Sequence, residues 1–349
     1  MRTTLSSCLA ILMALALISA TATAGGGNRT GTAGGDQLLV PVGARGIALG
    51  SSYSAGMTGL NAIYYNPAGL SGSRNNAEAM FSHMNSFGDI GVDYVGVGAQ
   101  FGGFGHLAFT VKSLSFGDIE KTTERNPDGT GATYSPTFVT LGLTYSRALT
   151  DRIRAGVSAY LISESVDRVS ASNAAFDIGV QYLGLAGVRG LAMGVTLRHL
   201  GGNMKYEGAG LTRLVDEVDS KRDPQLLRIE AAGFSLPTSL ELSVAYTQAF
   251  ADVHNLTFGG AFENNNFLTD QYRIGVEYSF RNFLFLRGSF NLAGDNKDDA
   301  FGETAYVFGP AFGAGVNLDA GDLNIGVDYA YRAAEVFDGN HVLTVNLGF

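Results

Sequence analysis

Charged side chains recur at even spacings inside otherwise apolar segments of this chain. Arg273, Glu277 and Arg281 share one phase of a segment whose other phase is Tyr272, Ile274, Val276, Tyr278 and Phe280. Asp328 and Arg332 relate in the same way to Leu323, Ile325, Val327, Tyr329 and Tyr331, as does Glu241 to Leu240 and Leu242. Glu263, Arg287, Arg154, Glu164, Asp177 and Arg198 occupy the corresponding polar or small-residue phase of their own segments. A selective ion path shows rings of one sign. These signs are mixed, so the expected chemistry is an internal lattice of ion pairs. Nothing comparable points to catalysis: the five histidines are scattered singly, and neither H-E-x-x-H nor G-x-S-x-G occurs. The chain reads as a non-enzyme without a cofactor. Asp295, Asp298, Asp299 and Glu303 could hold calcium, but their spacing is not that of an EF-hand loop, and a solvated acidic face is expected.

To gather those charges on one side of a surface, the chain must run as strands, in which alternate side chains point to opposite faces. From residue 76 onward the apolar residues do alternate, in segments near 76–87, 92–101, 104–118, 136–148, 152–166, 172–184, 189–200, 237–250, 254–264, 271–281, 283–292, 305–318, 322–333 and 341–349. Strands of soluble proteins cluster near 5–6 residues, whereas spanning strands need about 9–11. These are the long kind, and about fourteen of them make the even number expected of a bacterial barrel. Short turns, such as Gly102-Gly103 and Ala251-Asp252-Val253, alternate with longer polar loops at 119–135, 167–171, 201–236, 265–270, 293–304 and 334–340. That parity suits periplasmic turns and external loops. The fold class is therefore all-β, a transmembrane antiparallel barrel, with bulky residues facing outer-membrane lipid and the edge strands joined because open edges are not tolerated in hydrocarbon.

Composition agrees. The 349 residues include 48 Gly, 7 Pro, 1 Cys and no Trp, with 16% charged and a net charge of −9. Nucleic acid is excluded as a partner, because phosphate binding needs clustered Lys and Arg. Residues 1–24 read as a Sec signal, with Arg2, the apolar run Leu9 to Ile18 and the small residues Ala22-Thr23-Ala24. Cleavage there removes Cys8 and leaves a chain without thiol chemistry.

Residues 25–75 lack the period-two pattern and are rich in Gly, Ser and Ala. They are expected to fold into the lumen as a hatch, leaving 76–349 as the barrel. Within them stand Gly43-Ala44-Arg45 and Ile63-Tyr64-Tyr65-Asn66-Pro67-Ala68-Gly69-Leu70. Asn66 can bond its own backbone, Pro67 sets φ and Gly69 permits a close turn, so a sharp corner is predicted. These motifs, together with the terminal Phe349, resemble the PorV/PorQ family of outer-membrane proteins, a branch of the FadL-like barrels. The resemblance implies a fourteen-stranded barrel with an N-terminal hatch. It further implies that Phe349 serves as the terminal signature read by the barrel assembly machinery.

For function, the resemblance implies one of two activities. PorV-like members work with type IX secretion, binding exported proteins and passing them to surface attachment. FadL-like members move long-chain fatty acids or other hydrophobic small molecules. The expectation leans to the first, with secretion-system proteins and exported cargo as partners. The second would require a continuous apolar pocket and a lateral opening, with Pro310 a candidate place for it. The loop 201–236, carrying Leu211, Leu214, Leu226, Leu227 and Ile229 among charges, is expected to cover the external mouth or dock a partner.

Overall fold

The computed structural model describes residues 32–215, 225–251, 253–267, 269–293, 307–334 and 337–349. The signal segment, residues 25–31 and the acidic group at Asp295, Asp298, Asp299 and Glu303 lie outside the described residues. Fourteen strands form one closed barrel. They are β1 (Ala77–Asn85), β2 (Gly91–Gln100), β3 (His106–Ser115), β4 (Thr137–Ala148), β5 (Ile153–Val166), β6 (Val169–Leu183) and β7 (Leu191–Gly201). The second half is β8 (Ser239–Phe250), β9 (His254–Asn265), β10 (Gln271–Phe280), β11 (Leu284–Ala293), β12 (Phe308–Ala320), β13 (Leu323–Ala334) and β14 (Asn340–Gly348).

Every neighbour is antiparallel, and β1 closes on β14 from Glu78↔Gly348 to Asn85↔His341. The last residue completes the seam: the N–H groups of Asn76 and Ala77 donate to the Phe349 oxygen at 2.8 and 3.2 Å. Each predicted strand segment overlaps one observed strand. One connection differs. The polar stretch 167–171 is mostly strand, because Val169 and Ala171 keep the alternation going, and β5 and β6 meet in a two-residue turn with Asp167 at φ 49°.

Side-chain direction follows the alternation. Outward residues such as Phe81, Leu143, Leu161, Ile274, Leu286 and Phe312 are exposed, while their neighbours Ser82, Thr144, Ile162, Arg273, Arg287 and Ala311 are buried. An apolar belt around a whole molecule far exceeds the patches that soluble monomers expose. Lipid is the solvent that satisfies it.

Residues 36–72 fill the interior as short helical turns: Asp36–Leu39, Ala44–Ala48, Leu60–Ala62 and Pro67–Gly72. They supply much of the buried core, including Leu38, Ile47, Leu49, Met57, Ile63, Tyr65 and Leu70. This segment runs the length of the lumen. Its start reaches the long-loop side, where the Gly34 N–H donates to the Ser235 carbonyl at 3.0 Å, and its end delivers Asn76 to the short-turn side.

Among the described residues two bulges break the regular ladder. Between β6 and β7, Arg198 and His199 together oppose Asp177, with His199 at φ 57° and its N–H donating to Asp177 at 2.6 Å. The extra residue lets both Arg198 and His199 point into the buried interior. Between β12 and β13, Gly309 and Pro310 together oppose Ala333.

Candidate functional site

The lumen is where this chain concentrates polar chemistry. Asn66 caps the Pro67–Gly72 turn, its side-chain oxygen accepting from the Ala68 N–H at 3.0 Å while its amide donates to the Val180 carbonyl of the wall at 3.1 Å. Ser146 donates to Ala68 O at 2.9 Å, which pins the corner a second time. Gly69 is required by space, since a Cβ there would collide with the Met57 carbonyl. The wall yields room as well: Gly156 and Gly179, directly paired across β5 and β6, lie against Pro67 and Asn66. Leu70 is buried in an apolar cluster with Val42, Leu60 and Met80.

Gly43, at φ 81°, begins the turn of helix Ala44–Ala48, and the Ala44 N–H donates to the Thr344 hydroxyl at 2.8 Å. That helix presents Arg45 to the wall. Its guanidinium grips Glu277 through two hydrogen bonds of 3.0 and 2.9 Å. Glu277 also accepts from Arg287 at 2.6 Å, and Arg287 reaches Asp328 at 2.5 Å. A second group joins Arg198 to Glu241 at 3.1 Å and to Glu263 at 2.5 Å, while Arg273 bridges the same two carboxylates. Ser54 of the segment donates to Glu241 at 2.5 Å. Arg332 lies with its guanidinium 3.6 Å from the centre of the Phe308 ring.

The expected lattice residues Arg273, Glu277, Arg287, Asp328, Glu241 and Glu263 are thus brought together, in two clusters. Arg281 is a correction. It lies in the turn after β10, exposed and at φ 54°, with its guanidinium 5.3 Å from the Phe280 ring. The strand ends one residue before it, and a left-handed residue no longer obeys the strand's alternation.

Sequence reasoning missed Lys112. It shares the inward phase of His106, Ala108, Thr110 and Leu114 on β3, which is the signal that would have found it. Beside it is a small cavity of about 20 Å³, lined by Leu38, Ile63, Tyr64, Tyr94, Thr110, Thr140, Tyr160 and His199. That is space for one water. The packed segment leaves this part of the lumen without a continuous route.

Among the described residues one ladder of the barrel is shorter than the others. β11 and β12 pair only from Leu284↔Val316 to Ser289↔Ala311, six pairs against eight to fourteen at the other ladders. Phe290–Ala293 continue the ladder with β10, from Ile274↔Phe290 to Gln271↔Ala293, at the level of the Gly309-Pro310 bulge of β12. Outward Phe290 and Leu292 are exposed at this level, so the ladder shortens at the height of apolar side chains.

The loop 201–236 does two things. Its base, through Asn203–Lys205 paired with Gly233–Ser235, packs Met204, Phe234 and Leu236 on Leu38. Its outer part is a hairpin, Thr212–Val215 with Gln225–Arg228, on which the directly paired Leu214 and Leu226 are 66% and 73% exposed. An open groove of about 370 Å³ at the foot of the hairpin is lined by Ser170, Glu207, Gly208, Ala209, Thr212 and Arg228.

No protein-family model and no curated protein matches the chain. Among solved structures it is similar to the CymD monoaromatic hydrocarbon channel, with a TM-score of 0.52 and 12% identity over 89% of this chain and 98% of that one. It is likewise similar to the toluene transporter TodX of Pseudomonas putida, with a TM-score of 0.53 and 14% identity over 88% and 98%. At such identities the likeness is one of fold. This chain has the fold of those outer-membrane channels, a closed antiparallel barrel of fourteen strands with short helical turns of its N-terminal segment inside.

Proposed function

We propose that the protein is an outer-membrane channel for hydrophobic small molecules, in which residues 32–75 act as the hatch and solutes leave the lumen sideways into the bilayer. The observation that carries this reading is the shortness of the β11–β12 ladder, whose six pairs end at the Gly309-Pro310 bulge. The wall is tied together by the fewest ladder pairs there, at the height of outward apolar side chains, so a route through it at that depth is the easiest to open. A greasy solute gains by passing through it, because it never re-enters water. The similarity to the CymD and TodX channels suggests the substrate class, monoaromatic hydrocarbons.

Deleting Pro310 tests the route. Phe308 already pairs with Ala334 and Ala311 with Arg332, so removing one residue leaves Gly309 opposite Ala333 and restores an unbroken ladder. Uptake of radiolabelled toluene by cells carrying the deletion is expected to drop to that of cells lacking the protein, with the barrel still assembled. Undiminished uptake would refute the lateral route.

A second reading, docking of an exported protein, is favoured by the Leu214 and Leu226 pair on the outer hairpin. Under it, replacing both with Asn abolishes co-purification of a secreted protein from native outer membranes and leaves barrel stability within about 0.5 kcal/mol, the usual range for surface changes. Equal recovery with the double variant removes this reading.

A further inference from the structure

The short-turn rim of the barrel is not built like a solvated turn face. Phe101, Phe104, Leu149, Val188, Phe250 and Phe283, on its turns or at strand ends, are all exposed. Apolar side chains in that number mark a rim set in the headgroup layer, on the periplasmic side where short turns belong. Arginines stand among them. Arg147 is the next outward residue of β4 after Leu141, Leu143 and Tyr145, and exposed Leu149 follows it. With lipid-facing residues both before and after it, its guanidinium is held at headgroup depth. The Tyr145 hydroxyl donates to the Phe104 carbonyl at 2.7 Å and the two rings lie 5.1 Å apart, so the aromatic surface beside Arg147 is fixed.

Two more arginines belong to the same arc. The Arg152 carbonyl accepts from the Leu183 N–H at 2.7 Å, which sets Arg152 against the start of the turn joining β6 to β7. That turn, closed by the Gly184 N–H on the Leu191 carbonyl at 2.7 Å, carries exposed Arg189 next to Val188. Neighbouring strands are about 4.8 Å apart, so β4 to β7 spread the three arginines along roughly 15 Å of rim. Among the described residues their guanidinium groups have no ion pair or hydrogen bond, and exposed Asp151 is the one carboxylate on this arc. On the long-loop side, by contrast, Lys121, Lys205 and Arg228 are paired with Asp167, Glu230 and Glu207.

We propose that the β4–β7 arc of this rim binds an anionic phospholipid of the inner leaflet, its phosphate on Arg147 with Arg152 and Arg189 and its acyl chains on the outward face above them. A guanidinium fork matches phosphate oxygens two at a time. The outer face has room beside Arg147, because its direct partner is outward Ala155, itself opposite Val180. A lipid with two phosphates, such as cardiolipin, engages more of the arc than one with a single phosphate, and the ammonium of phosphatidylethanolamine is repelled by it. The inference goes beyond the channel reading and does not depend on it: the arc lies about six strands from the short β11–β12 ladder, so the bound lipid leaves that route clear.

The test is native mass spectrometry of the purified, folded full-length protein in detergent, titrated separately with cardiolipin, phosphatidylglycerol and phosphatidylethanolamine. Cardiolipin binds at least about 10-fold tighter than phosphatidylethanolamine, with phosphatidylglycerol between them. One basic residue near an anionic surface contributes about fivefold, so Arg147→Gln lowers cardiolipin affinity by about that factor. Combining Arg147→Gln, Arg152→Gln and Arg189→Gln brings cardiolipin down to the level of phosphatidylethanolamine. Arg125→Gln, Arg168→Gln and Arg213→Gln together, all exposed on the long-loop side, make the same change in net charge and leave cardiolipin binding as it was. Heat-modifiable gel mobility verifies that each variant is a closed barrel, and if the rim triple does not assemble, the three single variants decide. Equal affinity for the three lipids, equal loss from the two triples, or cardiolipin binding indifferent to the rim substitutions overturns the proposal. Inorganic phosphate, added as a competitor, leaves cardiolipin bound; displacement by it would assign the arc to a free anion and overturn the lipid site.

Discussion

Arg273→Met lowers the stability of the folded barrel by about 3–5 kcal/mol, the loss that follows when one partner of a buried ionic group is removed. In the native protein, Glu241 and Glu263 share two guanidinium groups, those of Arg198 and Arg273. With Arg273 gone, two buried carboxylates compete for Arg198 alone. Neither can reach water, because both are buried inside the wall. The penalty is thus an uncompensated charge, which distinguishes it from the loss of packing. Adding Glu263→Gln to Arg273→Met removes the surplus charge and recovers most of the stability. Urea unfolding in detergent, read by gel mobility with and without heating, measures both. If the single variant unfolds at the urea concentration of the parent, the lattice does not brace the wall.

Gly156→Val opens the lumen. A Cβ at Gly156 would overlap the Pro67 carbonyl and the Ala68 nitrogen, and its cross-strand partner Gly179 is equally tight against Asn66. One of the two surfaces must give. The wall is held on both sides by long ladders of β4, β5 and β6, whereas the corner is seated by a few hydrogen bonds to Ser146 and Val180. Overpacking of this sort costs roughly 1–3 kcal/mol, which moves a seated-to-unseated ratio by about 5- to 150-fold. Planar-bilayer recordings should then show stepwise current where the parent is quiet. Gly260→Val is the matched control, since a Cβ there meets only the Arg273 carbonyl, at 3.9 Å. Silence from Gly156→Val, with a closed barrel on gels, would mean that the corner does not hold the lumen shut.

Both results bear on how the polar interior and the N-terminal segment inside the barrel cooperate. Arg45 and Ser54 come from the N-terminal segment, yet they complete ion and hydrogen-bond groups whose other members are wall residues. Closing the lumen and bracing the wall are therefore one set of interactions.

Much of this protein can be read from its residues in order. Alternation is a property of neighbours along the chain, so it marked the strands, told the lipid face from the lumen face, and put Arg273, Glu277, Arg287 and Asp328 on the same side. The lack of alternation before residue 76, with Asn66-Pro67 and its glycines, marked a compact corner for the same local reason. Other features depend on which strands meet and in what register, and these only the tertiary structure decided. The grip of Arg45 on Glu277 spans 232 positions. The bulge between β12 and β13 exists because Gly309 and Pro310 together face Ala333, and the small cavity beside Lys112 exists because a turn from residues 36–40 folds back onto β3. Arg281 fell on the wrong side for a related cause: a strand's end is set by its partner's turn, which periodicity within one segment does not sense.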